Sequence, residues 1–269
     1  MSDNFEKIKL NHLPKEHKVD VIIGGRNFCS YVYDPKFAKP YLGPLTLSNG
    51  ESITRLDFAT KEHPHQRSVF VAVGEVTAAG KSDVDFWNEP ADRGEQRQKA
   101  IDIGDCGFTA YNVWQSADGV PMLEEARSFC FESHGAALTV ISIEITFKAA
   151  FGEVVFGATK EAGPLGIRIA PEMQASGGNG FIVNSWGGRG EAECWGKCAP
   201  WAAYCGSVGG QRCALTVFDD PSNERFPTSW HCRDYGLFAV NNLFFKGPLK
   251  INAGDTLTYR FKIQISEEV

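Results

Sequence analysis

Apolar and polar residues alternate with a period of two over long stretches of this chain. In "LTYRFKIQIS", Leu257, Tyr259, Phe261, Ile263 and Ile265 fall on one face, and Thr258, Arg260, Lys262 and Gln264 on the other. That is the signature of a strand with one buried and one solvated side. "TVISIEITFK" repeats it, with Ile141, Ile143, Ile145 and Phe147 inward and Ser142, Glu144 and Lys148 outward. "ARSFCFES", "GFIVNS" and "RCALTVFD" read as further strands bounded by turn residues. Near the end, a strand finishing at about Leu249 is followed by the turn Asn252-Ala253-Gly254-Asp255 and a long closing strand. Residues 88–100 are polar and read as a surface helix or loop, and no long apolar stripe of period 3.6 occurs. With 28 glycines and 13 prolines punctuating short strands, the pattern predicts an all-β, single-domain β-sandwich over residues 1–269, with residues 1–19 a peripheral N-terminal segment.

Charge and composition narrow the function classes. The formal charge is −6 with no long run of either sign, which argues against a nucleic-acid partner. No stretch approaches the roughly 18 apolar residues of a membrane helix, and the first twenty residues hold no apolar core of a secretory signal. A soluble, cytoplasmic protein is expected, its eight cysteines reduced. Cys194, Cys198, Cys205 and Cys213 cluster, but without the C-x2-C pairs of a structural zinc module.

The chemistry-bearing residues come in short blocks. "EHPHQRSVF" sets His63 and His65 around Pro64, in a chain with six histidines. Proline pushes the residue before it into extended conformation. The spacing therefore predicts an extended segment with both imidazoles facing one space, roughly 6–7 Å apart. A metal would need a third ligand. The cupin pattern has a glutamate soon after H-x-H, where this chain has Val69 and Phe70, so His231 is the candidate to complete such a set. "DVDFWNEP" supplies Asp85 and Trp87, "KEAGPLGIRIAPEM" Glu161 and Arg168, and "ECWGKCAPWAAY" Glu193, Trp195 and Lys197. In "SWHCRDYG", alternation would put Trp230 on one face and His231, Arg233 and Tyr235 on the other. No nucleophile elbow, Walker loop or dinucleotide fingerprint occurs.

Together the blocks "HPHQR", "DFWNE", "EAGPLGIRIAPEM", "ECWGKCAPW", "FDDPSNERFPTSWHCRDYGLFA" and "LTYRF" resemble the bacterial PmoA-like family, over roughly residues 20 to 265. That family has no settled reaction. Its inherited name belongs to an integral membrane subunit of methane monooxygenase, an activity this chain is not expected to share. The resemblance implies a β-sandwich similar to the galactose-mutarotase supersandwich and an association with carbohydrate use. Relatives often read H-P-H-H-R-G, where this chain has Gln66 and Ser68.

The leading expectation is a carbohydrate-active enzyme working by acid–base chemistry on a sugar or oxidised sugar, of epimerase, mutarotase, lyase or hydrolase type. His63, His65 and His231 would transfer protons, with Glu161 or Glu193 as carboxylate partner. Arg67, Arg168 and Arg233 would steady negative charge on oxygen, Trp87, Trp195 and Trp230 would form walls, and Asp85, Lys197 and Tyr235 would contact substrate. No cofactor is required, and the partner is a small-molecule carbohydrate. One alternative is a non-catalytic carbohydrate-binding sandwich. Another is a lyase or hydrolase holding a divalent metal on His63, His65 and His231.

Overall fold

Alternating burial along the strands builds two large antiparallel sheets around one apolar interior. A computed structural model of the chain describes residues 5–56 and 62–267. Strand takes up 53% and helix 5%, which makes the class all-β. In chain order the strands are β1 (Ile8–Leu13), β2 (Lys18–Ile23), β3 (Arg26–Val32), β4 (Tyr41–Leu42), β5 (Val69–Val73), β6 (Val76–Ala78) and β7 (Lys81–Val84). There follow β8 (Glu95–Ile103), β9 (Gly107–Gln115), β10 (Pro121–Ser133), β11 (Leu138–Lys148), β12 (Val154–Phe156), β13 (Ala162–Arg168) and β14 (Phe181–Asn184). The last are β15 (Trp201–Val208), β16 (Gln211–Asp219), β17 (Trp230–Cys232), β18 (Leu237–Val240), β19 (Leu249–Ile251) and β20 (Thr256–Glu267). A short helix, α1, spans Gly190–Cys194.

The first sheet has the order β1-β2-β3-β4-β5-β13-β18-β17, and the second the order β14-β15-β16-β20-β11-β10-β9-β8. A four-stranded sheet, β19-β12-β6-β7, accompanies them. Residues 8–13 of the N-terminal segment form the outermost strand of the first sheet. The alternation read from the sequence holds in the second sheet: Ile141, Ile143, Ile145 and Phe147 on β11 and Tyr259, Phe261, Ile263 and Ile265 on β20 all join the main core. Residues 88–100 differ from expectation, because β8 begins at Glu95. This strand closes the edge of the second sheet, and edge strands carry charge that discourages further pairing. Its "EQRQK" run therefore looks helical or looped by composition alone.

The centre of the first sheet is buried on both sides. Val69, Val71 and Val73 of β5 face the main core. Phe70 and Ala72 face a second apolar cluster on the outer side with Tyr41, Trp87, Leu237 and Ala239. That outer side carries the candidate site.

Candidate functional site

Register defines the platform. His231 pairs with Ala239, Ala239 with Gly166, Gly166 with Phe70 and Phe70 with Tyr41, so these residues form one row across five strands of the first sheet. The small residues at its centre let a ring lie flat on the sheet. A Cβ on Gly166 would come within 2.7 Å of the Phe70 ring.

His63-Pro64-His65 stands at the entry to this platform, but not extended as the sequence suggested. Residues 63–66 form a β-turn closed by the Gln66 N–H donating to the His63 carbonyl (3.0 Å), with His63 at φ 50°. Proline at the second turn position presets the bend, and histidine is among the non-glycine residues that visit the left-handed region most readily. Arg55 holds the turn's entry by donating to the Glu62 and His63 carbonyls (2.8 and 3.2 Å). The two imidazoles still meet, edge to face with centroids 5.8 Å apart.

Beyond the turn the groups separate into two sets. In the first, the His63 ring stacks parallel on Tyr235, centroids 5.1 Å apart. Its Nδ1 lies 3.4 Å from Glu62 Oε1. Arg168, fully buried, donates to Gln66 Oε1 (2.7 Å) and Glu62 Oε1 (3.1 Å). The guanidinium carbons of Arg168 and Arg233 lie 4.7 and 5.4 Å from the Tyr235 ring centroid, a cation–π arrangement. Burial raises the Tyr235 pKa, with both arginines pulling it back. For Glu62 burial works upward, but Arg168 and Arg55 outweigh it and hold the carboxyl below its usual range. Arg233 Nε approaches Glu191 Oε1 at 2.8 Å, and Glu191 Oε2 accepts the Asp234 N–H at 2.8 Å.

The second set is Lys39, Glu89, Arg67 and His65. Glu89 accepts two bonds from Arg67 (2.7 and 3.0 Å) and one from Lys39 (2.9 Å). Burial acts to raise the Glu89 pKa, yet Lys39 and Arg67 together hold it at about 2. Burial pulls Lys39 down to about 8 against the attraction of Glu89. His65 is pushed down to about 3 by burial and then by Lys39. His231, at the other end of the row, is pushed down to about 4 by burial and then by Arg233. His65 Nε2 and His231 Nδ1 are buried without a hydrogen-bond partner. Such atoms normally find one.

A family model described as "Family of unknown function (DUF6807)" matches residues 18–269. The chain belongs to this family. No curated protein matches its sequence. Among solved structures, it is similar to a GH36 alpha-galactosidase from Geobacillus stearothermophilus, with 11% identity, a TM-score of 0.38, and coverage of 83% of this chain and 29% of that one. The chain thus spans less than a third of that enzyme's length. It is also similar to a galactose mutarotase related enzyme from Lactobacillus acidophilus, with 7% identity, a TM-score of 0.36, and coverage of 97% of both chains.

Within this DUF6807 chain, the structure gathers His63, Arg168, Arg233 and Tyr235 around one another, and places His65 with Arg67. Glu161 stands close enough for its charge to act on Tyr235. Glu193 is engaged elsewhere, its carboxylate accepting the Arg189 N–H (2.9 Å) at the start of α1. Asp85 caps its own loop, accepting from the Trp87 and Asn88 N–H groups. Trp87 and Trp230 cannot be walls, being 0% and 1% exposed. Trp230 stacks on Phe238 in the main core and donates to the Ala199 carbonyl (2.9 Å). Trp195 packs edge to face on Phe245 beside β17, and Lys197 is exposed. Alternation does not carry His231, Arg233 and Tyr235 along one strand, because a tight turn begins at Arg233, whose carbonyl accepts the Gly236 N–H (2.9 Å). Tyr235 reaches His63 from that turn. Among the described residues no three His, Cys, Asp or Glu side chains are gathered as a metal-ligand set, so His63, His65 and His231 do not converge on one point.

Sequence reasoning passed over Glu62, Gln66, Lys39 and Glu191, while Glu89 stood in the acidic–aromatic block "DVDFWNEP". Glu62 and Gln66 flank the histidines in "EHPHQ" and were readable as partners. Lys39 and Glu191 carry no local signal, because only the tertiary fold brings them in. No helix of the described residues is long and apolar enough to cross a membrane. A cavity of about 1030 Å³ lies away from this face, on the outer side of the second sheet.

Proposed function

We propose that the outer face of the first sheet is a catalytic site for proton transfer on a sugar or oxidised sugar, and that His63 moves the proton. The observation that carries the reading is the His63 imidazole, stacked on the Tyr235 ring at 5.1 Å with its Nδ1 3.4 Å from the Glu62 carboxylate, an ion-pair distance without a formed hydrogen bond. A carboxylate beside an imidazole can orient it, as in acid–base dyads generally. His65 and His231 take a different part. A general base works best with a pKa near the working pH, and these two are held at about 3 and 4. They stay neutral, and their unpartnered ring nitrogens suit hydrogen bonds to substrate oxygens. Arg233, half-buried beside Tyr235, balances negative charge that develops at a carbonyl or carboxylate, and the fully buried Arg168 adds its field without touching the substrate. The sugar class follows from the resemblance of the sequence blocks to the PmoA-like family.

The test is proton NMR in D2O with a panel of aldoses, ketoses and uronic acids, following anomer exchange and deuterium entry next to the carbonyl. His63→Asn preserves a residue that tolerates the left-handed backbone. It should lower the exchange rate by roughly 10²–10⁴-fold and change substrate affinity only a few-fold. Wild-type rates in that variant would sink the assignment of His63. Saturable binding of a panel sugar with no exchange in the parent protein would replace the enzyme by a carbohydrate-binding sandwich.

A further inference from the structure

We infer that Cys106 and Cys130 form an oxidant-reactive dithiol, closing to a reversible disulfide at the wall of the second sheet's cavity. The pair lies on the opposite sheet from the histidines, so this inference stands apart from the catalytic reading. The two Sγ atoms are 2.7 Å apart, with both thiols free. Cys106 is exposed in the turn between β8 and β9, while Cys130 is half-buried on β10. The backbone is already in register for a bridge. Gly107 pairs directly with Cys130, and the Phe131 N–H donates to the Cys106 carbonyl at 2.8 Å. Gly107 permits this approach, since a Cβ there would stand 1.9 Å from the Phe129 carbonyl oxygen. Disulfide formation requires Cα atoms within about 7 Å and facing side chains, which adjacent antiparallel strands supply.

The remaining cysteines differ in setting. Cys29, Cys194, Cys213 and Cys232 are buried, Cys194 and Cys232 against each other and out of reach of solvent oxidant, and Cys205 is half-buried. Cys198 is exposed, but its sulfur contacts the Ser229 hydroxyl (3.3 Å) and no second thiol. Exposure makes Cys106 the attacking group and Cys130 the resolving one. Burial and the neighbouring Cys106 raise the Cys130 pKa to about 11, so it reacts after the first sulfur has been oxidised. With a peroxide as oxidant, the Cys106 thiolate attacks one peroxide oxygen, the O–O bond breaks, and Cys106 becomes a sulfenic acid as one water leaves. Cys130 then attacks Cys106 Sγ, the S–O bond breaks, and a second water leaves. Two thiols and one hydrogen peroxide thus give one disulfide and two waters. Both cysteines line the cavity, together with Thr109, Ser128, Ser142 and Lys262, so the bond fixes the 104–107 corner against the cavity wall.

The full chain, treated with equimolar hydrogen peroxide and read by intact mass and peptide mapping, tests this. The expected result is a loss of about 2 Da, or two hydrogens per bridge, with a Cys106–Cys130 linked peptide that dithiothreitol releases. Cys198 should stay open to maleimide. Closing this loop should raise Tm by roughly 5–10 °C. Cys106→Ser, at an exposed position, and Cys130→Ser should each abolish the mass loss. Persistence of both thiols, a linkage mapping to another pair, or Cys106 passing to sulfinic acid with Cys130 still reduced would overturn the inference.

Discussion

Two groups of buried charge in this molecule look alike in composition and differ in completeness. Between the sheets, Arg127 donates to both Glu125 oxygens (2.6 and 2.9 Å) and to Gln96 Oε1 (3.1 Å). Trp114 adds a bond to Glu125 (2.7 Å), and Gln96 donates onward to the Val71 carbonyl (2.7 Å). On the outer face of the first sheet, Lys39, Glu89 and Arg67 form a comparable cluster, but His65 beside it, and Arg168 and His231 further along the same face, each leave a buried nitrogen without a partner. A network closed on itself serves the fold. One whose open ends share a single face has groups to offer a ligand. The core group is not flawless, since the Asn112 amide and the Tyr31 hydroxyl also lack partners. Those loose ends lie among the residues between the sheets, whereas His63 beside the outer group is 40% exposed on its side chain. Solvent contact, added to incompleteness, separates the two.

The sharpest way to break this contrast is to open the closed network. Arg127→Met removes the cation from a carboxylate whose side chain is 0% exposed. The orphaned Glu125 should destabilise the fold by about 3–5 kcal/mol, measured by urea unfolding, and replacing Glu125 by Met in the same chain should recover much of the loss. A cost under about 1 kcal/mol would mean that the two clusters do not differ in kind.

Acid separates them next. His65 and His231 titrate near 6.5 in an unfolded chain but are held at about 3 and 4 in the fold. The unfolded state therefore binds more protons as pH falls below about 6.5, and stability declines until each folded pKa is passed. By pH 5 each histidine should account for about 2 kcal/mol of lost stability. Glu89, ordinarily near 4.3 and held at about 2, adds a loss of the same sign that begins only as pH falls through the carboxylate range. In His65→Asn the decline between pH 7 and 5 should flatten by roughly half, measured by chemical denaturation at each pH. An unchanged slope would mean that His65 is not held neutral.

What the sequence made legible follows from where each signal resides. Alternation in β11 and β20 identified their buried faces residue by residue, because each has one wet side. The central strands of the first sheet, "VFVAV" and "AGPLGIR", are buried on both faces and show no alternation. Nothing in them announced that Phe70 and Ala72 point toward a site. His63 and His65 were legible as a facing pair, but their backbone was not, since proline's pressure toward extension lost to a turn held by Arg55. The tryptophans misled for a simpler reason. Trp87 and Trp230 have the chemistry of sugar platforms, and burial, which spacing does not report, removed both. Glu62 was one residue from the motif and went unused, whereas Lys39 and Glu191 enter only by tertiary contact.

The mildest test concerns charge that is neither buried nor open-ended. On the wet face of the second sheet, Glu144 accepts from Arg260 Nε at 2.9 Å, across the β11–β20 register. It resembles the Glu62–Arg168 contact in distance. Both side chains are about half exposed, at 47% and 48%, so water screens the attraction and competes for both groups. Glu144→Gln should therefore change stability by less than about 1 kcal/mol, and 0.5 M salt should erase most of that change. Because the pair lines the second sheet's cavity, the same variant should leave the proton exchange proposed for the first sheet untouched. A loss of exchange activity in Glu144→Gln would show that the two faces act on one another through the shared core, and the division drawn between them would fail.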